Sequence, residues 1–267
     1  EPRHGPFERR KQIGGSAPGR RFRPAGRGAR GAGGGGRGVG RGGFWAKSAL
    51  VAALLALAGC DALGFKNWEW RQKLVIEVET PSGIVSGGSL VAVEAGTSPK
   101  WAPGAGAGGL GARVRGEASF AEVAPGRFLF ALLGGGDWER EVALTLFFPE
   151  PAPSPFERAE RLETMRETRV LPRNRYPLLV TFTDIADPTT VRRVDPDDLA
   201  ATFGPGVALK RITLEITDEK VTEGRVKAVL GWLETIGNTM LDGRSDSTIE
   251  AENRLANDLS RLDFRRD

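Results

Sequence analysis

The 267-residue chain carries 38 Lys and Arg against 34 Asp and Glu, a formal net charge of +4, with one histidine, His4, and one cysteine, Cys60. Residues 61–267 hold neither type, which excludes Ser-His-Asp and Cys-His nucleophile systems there, and any zinc site built on His or Cys. The basic excess lies in residues 1–59, which hold 12 of the Lys and Arg and 2 of the Asp and Glu. The remainder keeps 26 basic and 32 acidic side chains, net −6, so the overall charge supports no nucleic-acid partner.

Residues 1–43 are rich in Arg and Gly and have too little apolar surface to fold. Residues 46–60 read AKSALVAALLALAGC. Their apolar run, 49–58, is short of the roughly 20 residues that span hydrocarbon. A buried helix explains the run but leaves the basic lead-in, the small residues and the cysteine as coincidences, whereas a signal peptide explains all four. Segment 44–59 resembles the signal peptide of bacterial lipoproteins, with Leu57-Ala58-Gly59-Cys60 matching the lipobox. The resemblance implies cleavage between Gly59 and Cys60, a thioether-linked diacylglycerol on Cys60 and acylation of the new amino terminus. It implies a protein anchored on the periplasmic side of a membrane in the cell envelope. Asp61, second after the cut, resembles the signal that retains lipoproteins in the inner membrane of enteric bacteria; the alternative is an ordinary tether residue. For 1–43, three readings compete: a nucleic-acid-binding arm, a long n-region, and translation from upstream of the true start. The third is favoured, because an anchored domain outside the cytoplasm has no use for an RNA-binding arm that is removed. Val39 then serves as the start of a signal spanning 39–59.

After a short tether, 60–67, residues 68–80 alternate. Trp68, Trp70, Leu74, Ile76 and Val78 share one face, and Glu69, Arg71, Lys73, Glu77 and Glu79 the other, which predicts a half-buried strand. The two tryptophans suit either a membrane interface or the core, and their continuity with Leu74 favours the core. Thr80-Pro81-Ser82-Gly83 is a turn. Residues 84–94 read as a strand with a Gly-Gly weak point, 96–111 as a Pro/Gly/Ala loop, and 112–120 as an alternating strand. Pro125-Gly126 suits a type II turn. Residues 127–133 read as a buried strand, and 139–148, through Val142, Leu144, Leu146 and Phe148, as a fifth. Pro-rich 149–155 is a linker. Ser154-Pro155-Phe156-Glu157 opens a helix to about Arg169. Strands follow at 178–184, 190–194 and 209–217. A short helix behind Asp195-Pro196-Asp197-Asp198 ends near Phe203, a helix spans 225–239, and a more polar one covers 248–262. The expected class is α+β: an antiparallel β-rich part at 68–148, sandwich or open barrel, then a mixed strand and helix part at 156–267.

Few residues suggest chemistry. Residues 104–109 and 106–111 match G-x-G-x-x-G, but that pattern needs a helix after it, and an alternating strand follows. Asp184, Asp187, Asp195, Asp197 and Asp198 are weak calcium candidates or acid–base carboxylates, although Asp-Pro and Asp-Pro-Asp-Asp are ordinary turn and N-cap sequences. Ser86, Ser89 and Tyr176 lack a nucleophile motif. No catalytic residue, metal or cofactor is assigned. Segments KLVIEVETPSGIVSG, EVAPGRFLFALL, PLLVTFTDIADPTTVRRVDPDDLAATFGPGV and ITLEITDEKVTEG resemble an uncharacterised group of proteobacterial lipoproteins over most of 73–233. The resemblance fades in the Gly-rich loop and the C-terminal tail. It implies one evolved domain and names no activity. The expected role is a binding or envelope-assembly module, held to the membrane through Cys60 and working with an envelope protein partner. The alternative is a periplasmic hydrolase using carboxylates or a Ser/Lys pair.

Overall fold

Two long strands form the spine of the protein. The structure, a computed structural model, describes residues 66–97 and 109–267, all within one compact unit. Strands β1 (Asn67–Thr80) and β2 (Gly83–Thr97) make an antiparallel hairpin that stays in register from Asn67↔Gly96 to Thr80↔Gly83. The alternation in β1 is the alternation of its burial. Trp68, Trp70, Leu74, Ile76 and Val78 enter the core, while the charged face stays half-exposed or exposed. Both tryptophans are thus core residues. Gln72, next after Trp70 on the same face, is buried and accepts a hydrogen bond from Trp70 Nε1 at 3.0 Å.

The spine is extended on both sides. β3 (Leu110–Glu117) pairs with β2, β9 (Ala208–Thr217) with β1, β6 (Glu167–Val170) with β9, and β10 (Arg265–Arg266) with β3. The result is a six-stranded antiparallel sheet in the order β10-β3-β2-β1-β9-β6, to which residues on both sides of 149–155 contribute. A bulge lets β9 serve the core along its length. Glu77 pairs with Arg211 and Val78 with Leu209, so Lys210 is the extra residue. Leu209 is thereby turned onto the same cluster as Ile212, Leu214 and Ile216. A second sheet, ordered β4-β5-β7-β8, consists of β4 (Ser119–Ala124), β5 (Arg127–Ala131), β7 (Leu179–Phe182) and β8 (Val191–Arg193). The two sheets share one core and neither closes on itself.

Residues 112–120 do not form the single strand that their alternation predicts. β3 ends at Glu117 and β4 begins at Ser119 in the other sheet. Gly116 sits at φ 136°, a conformation most side chains avoid, and the Ala118 N–H leaves the ladder to donate to Phe264 O at 2.9 Å. Directly after this switch, β4 crosses β2. A Cβ on Gly87 would lie 1.9 Å from the Phe120 carbonyl oxygen. The Gly-Gly pair is therefore the place where two backbones touch. Beside it, Ser89 N donates to Ser119 Oγ at 2.9 Å, Ser89 Oγ to Ala118 O at 2.9 Å, and Ser119 Oγ to Leu74 O at 2.8 Å.

At β5 and β7 the second sheet is buried on both faces, which accounts for the continuous apolar run of β5. Leu129 and Ala131 join the shared core, while Phe130 faces a second one. There its ring meets Phe264 at 5.9 Å, and Phe182 meets Trp232 at 5.7 Å, both edge-on.

Four element boundaries differ from the sequence reading. Residues 139–148 are not a strand but most of α1 (Asp137–Leu146). Val142, Ala143, Leu146 and Phe147 satisfy a helical period as readily as Val142, Leu144 and Leu146 satisfy an alternating one. The buried Glu139, one turn before Val142 and Ala143, settles the outcome. α2 (Pro155–Thr164) starts as expected. Ser154 Oγ accepts from Glu157 N at 3.3 Å, and the Glu157 carboxylate accepts from Ser154 N at 2.9 Å. It stops five residues short of Arg169, because β6 is drawn onto the β9 edge. α3 (Leu199–Phe203) falls where Asp198 caps it. The helix expected over 225–239 is only α4 (Arg225–Val229). Leu230 leaves helical geometry at ψ 78°, and a 3-10 turn over Gly231–Glu234 keeps Leu233 on the buried side. The helix expected over 248–262 reduces to α5 (Arg254–Asp258) and a 3-10 turn at Arg261–Asp263.

The crossing makes Gly87 sensitive to a single carbon. Gly87→Ala should lower stability in urea unfolding by about 2–4 kcal/mol, since only backbone movement can relieve the clash. Gly231→Ala, which meets nothing within 4 Å, should stay within about 0.5 kcal/mol of wild type. Equal effects of the two substitutions would contradict the crossing.

Candidate functional site

The anchor residues Gly59, Cys60 and Asp61 lie outside the described residues, as do 1–43, 44–59 and most of the tether. Of the G-x-G-x-x-G matches only the ends are described, and Gly111 belongs to β3, so a strand follows the glycines. Ser89 is buried, with its hydroxyl donating to Ala118 O. Ser86 is exposed on β2. No lysine hydrogen-bonds to a serine among the described residues.

Two glutamates are almost wholly buried, and both are taken up by backbone amides. The Glu139 carboxylate accepts from Gly134 N at 2.7 Å and Gly136 N at 2.8 Å, closing the turn that starts α1. Glu117, at the end of β3, reaches α4 and accepts from Gly224 N at 2.6 Å, Arg225 N at 3.0 Å and Val226 N at 3.2 Å. A short helix cannot satisfy its own first N–H groups, and here a carboxylate from a distant strand does so. Glu117→Gln should cost about 2–3 kcal/mol in denaturant unfolding, because an amide nitrogen would face backbone donors. An unchanged midpoint would show that these bonds contribute nothing.

The structure does not bring the five aspartates together, and among the described residues no three His, Cys, Asp or Glu side chains form a group that could hold a metal. Four of them bind local amides. Asp184 accepts from Ala186 N at 2.9 Å, Asp187 from Thr189 N at 2.9 Å, Asp195 from Asp197 N at 2.9 Å, and Asp198 from Ala201 N at 3.0 Å. These are turn and cap bonds. Asp197 differs. It receives a two-pronged pair of hydrogen bonds from Arg173, Nε to Oδ1 and NH2 to Oδ2, each 2.9 Å. Asp195 lies 3.5 Å from the same NH2, and the guanidinium sits 5.4 Å from the centre of the Tyr176 ring.

This pair stands on the rim of a cleft of about 600 Å³ between residues 173–179 and 193–196. Tyr176, Pro177 and Leu178 line one wall, and Arg193, Asp195 and Pro196 the other. The walls are held together by the β7–β8 ladder and by Val194 N donating to Leu179 O at 2.9 Å. The cleft gathers two residues singled out in the sequence, Tyr176 and Asp195, with two that were not, Arg173 and Arg193, and Asp197 is joined to it through Arg173. The available signal was the pair of basic runs in PRNRYP and VRRVDPDD, which only the hairpin brings face to face. A second cleft, about 690 Å³, opens at the end of the six-stranded sheet beside Asn67, Glu69, Glu94, Arg113 and Glu163. Thr97 and Gly111 also line it.

The hydrogen bonds from Arg173 hold the Asp197 carboxyl below its ordinary value, and Asp197 in turn raises Arg173. A depressed folded-state pKa means the pairing is complete above the unfolded value and is lost as pH falls through the folded one. Both groups are exposed, so the effect on stability is small. In an NMR titration Asp197 should have its midpoint below that of an ordinary aspartate, and Arg173→Gln should bring it back to the ordinary range. An unshifted wild-type midpoint would contradict the pairing.

No protein-family model matches the chain, and neither a curated protein nor a solved structure matches it.

Proposed function

We propose that the protein is a lipid-anchored component of the bacterial cell envelope, held on the periplasmic side through Cys60, and that its folded body is a binding or envelope-assembly module. The observation that carries the anchor is residues 46–60, in which a basic lead-in, an apolar run of signal-peptide length and small residues end on the chain's single cysteine. Each methylene of an attached chain contributes about 0.8 kcal/mol, and two or three chains hold almost irreversibly. Seven steps along the chain separate Cys60 from Asn67, the first residue of β1. At roughly 3.3–3.6 Å per residue they reach at most about 25 Å, which keeps the body next to the bilayer.

Binding is favoured over the hydrolase alternative by where the reactive groups sit. The buried carboxylates Glu117 and Glu139 are occupied by backbone amides, and Ser89 by the joint between the sheets. The Arg173–Arg193 cleft offers guanidinium groups and an aromatic wall, which suit recognition. Retention in the inner membrane through Asp61 belongs to the same proposal.

Metabolic labelling with a fatty-acid analogue tests the anchor. Wild type should take up label and sediment with membranes, and Cys60→Ser should lose both. Label retained in Cys60→Ser would end the lipoprotein reading. On a sucrose gradient wild type should band with the inner membrane and Asp61→Ser should shift outward; wild type in the outer-membrane band would refute retention.

A further inference from the structure

We propose that the cleft between Arg173 and Arg193 binds a phosphoryl group, as a phosphate ester whose remaining part rests against Tyr176 and Pro196. The proposal rests on the reading of the body as a binding module but not on the anchor, which the Cys60 labelling assays separately. Four observations carry it.

Arg173 is held in place before any ligand arrives. Asp197 grips its Nε and NH2 edge at 2.9 Å, and Tyr176 lies beneath it at 5.4 Å. These contacts orient the guanidinium and leave it accessible to an anion. Its NH1 has no hydrogen-bond partner among the described residues. Across the cleft, Arg193 is exposed and makes no ion pair among the described residues. Arg175 and Arg192 likewise make none among those residues. Arg193 thus presents an uncompensated guanidinium to the cleft, across from the NH1 of Arg173.

The geometry favours phosphate over a carboxylate. One carboxylate matches one guanidinium edge, whereas the several outer oxygens of a phosphate ester can meet donors from two walls. The carboxylate of Asp195, which also lines the cleft, is drawn to Arg173 at 3.5 Å and partly neutralised there. The ring of Tyr176 and the Pro196 face offer apolar contact for the esterified part.

Tyr176 is the chain's only tyrosine, so fluorine-labelled tyrosine gives a single NMR signal inside the cleft. The full chain in detergent would be titrated with inorganic phosphate, glycerol phosphate and short-chain phosphatidylglycerol. A saturable shift of the Tyr176 signal is expected. It should need about tenfold more ligand in Arg193→Gln. Arg192→Gln removes the same charge from the neighbouring residue, whose side chain points to the other face of β8, and should stay within about twofold of wild type. Glycerol phosphate matching the lipid would identify a soluble ester as the ligand, and a response to the lipid alone would identify a headgroup; either supports the site. No saturable shift with any of the three probes would overturn it. So would equal weakening by Arg193→Gln and Arg192→Gln, because that would be general charge attraction.

Discussion

The backbone contact between Gly87 of β2 and the Phe120 carbonyl of β4 sets how closely the two sheets approach, and much of the structure follows from it. A side chain at that point would push the sheets apart. With none, Ser89 and Ser119 can bridge them and satisfy the carbonyls of Ala118 and Leu74. Polar groups buried at a crossing are costly unless paired, so the serines are as necessary there as the glycine. The change of sheet at Gly116 to Ala118 delivers β4 to this position in one step.

A second requirement arises from the first. Once β4 and β5 lie over the shared core, their other face carries Phe120, Phe130 and Leu132, and these must be covered as well. The cover comes from residues that follow β9, in short helices and 3-10 turns that could not persist alone. They are tied to the rest of the fold by side chains: Glu117 of β3 on the first amides of α4, and Asn253 of the cover itself, whose Nδ2 donates to Thr189 O at 2.7 Å and Val191 O at 3.0 Å. Phe264 fills the centre of this layer, and the chain then runs into β10 at the sheet edge. The buried Glu117, Ser89 and Ser119 therefore join elements that are distant in sequence, which is a structural use of residue types that could also do chemistry.

The proposed anchor rests on a short linear segment and would need no tertiary structure. The cleft depends entirely on tertiary structure, because its two arginines come from different strands and connections, and the β7–β8 hairpin alone brings them together.

What the sequence determined by itself was whatever depends on local periodicity and local hydrogen bonding. The tryptophan face of β1, the turns at Pro81-Ser82 and Pro125-Gly126, the Ser154 cap and the Asp198 cap need only residues a few positions apart, and each is found where the pattern puts it. The α+β class with antiparallel sheets followed from these. What only the tertiary structure decided was each choice between two locally acceptable outcomes. Val142 to Phe148 fit a strand or a helix, and the burial of Glu139 against its own turn selected the helix. Residues 112–120 alternate throughout, yet alternation does not register which sheet a strand joins. Residues 225–239 keep a helical period through a break at Leu230, because a 3-10 turn preserves the buried side. The candidate site was legible only in fragments, as Tyr176 and a run of aspartates, because the geometry of Arg173 and Arg193 is created by strand pairing and leaves no periodic trace in the chain.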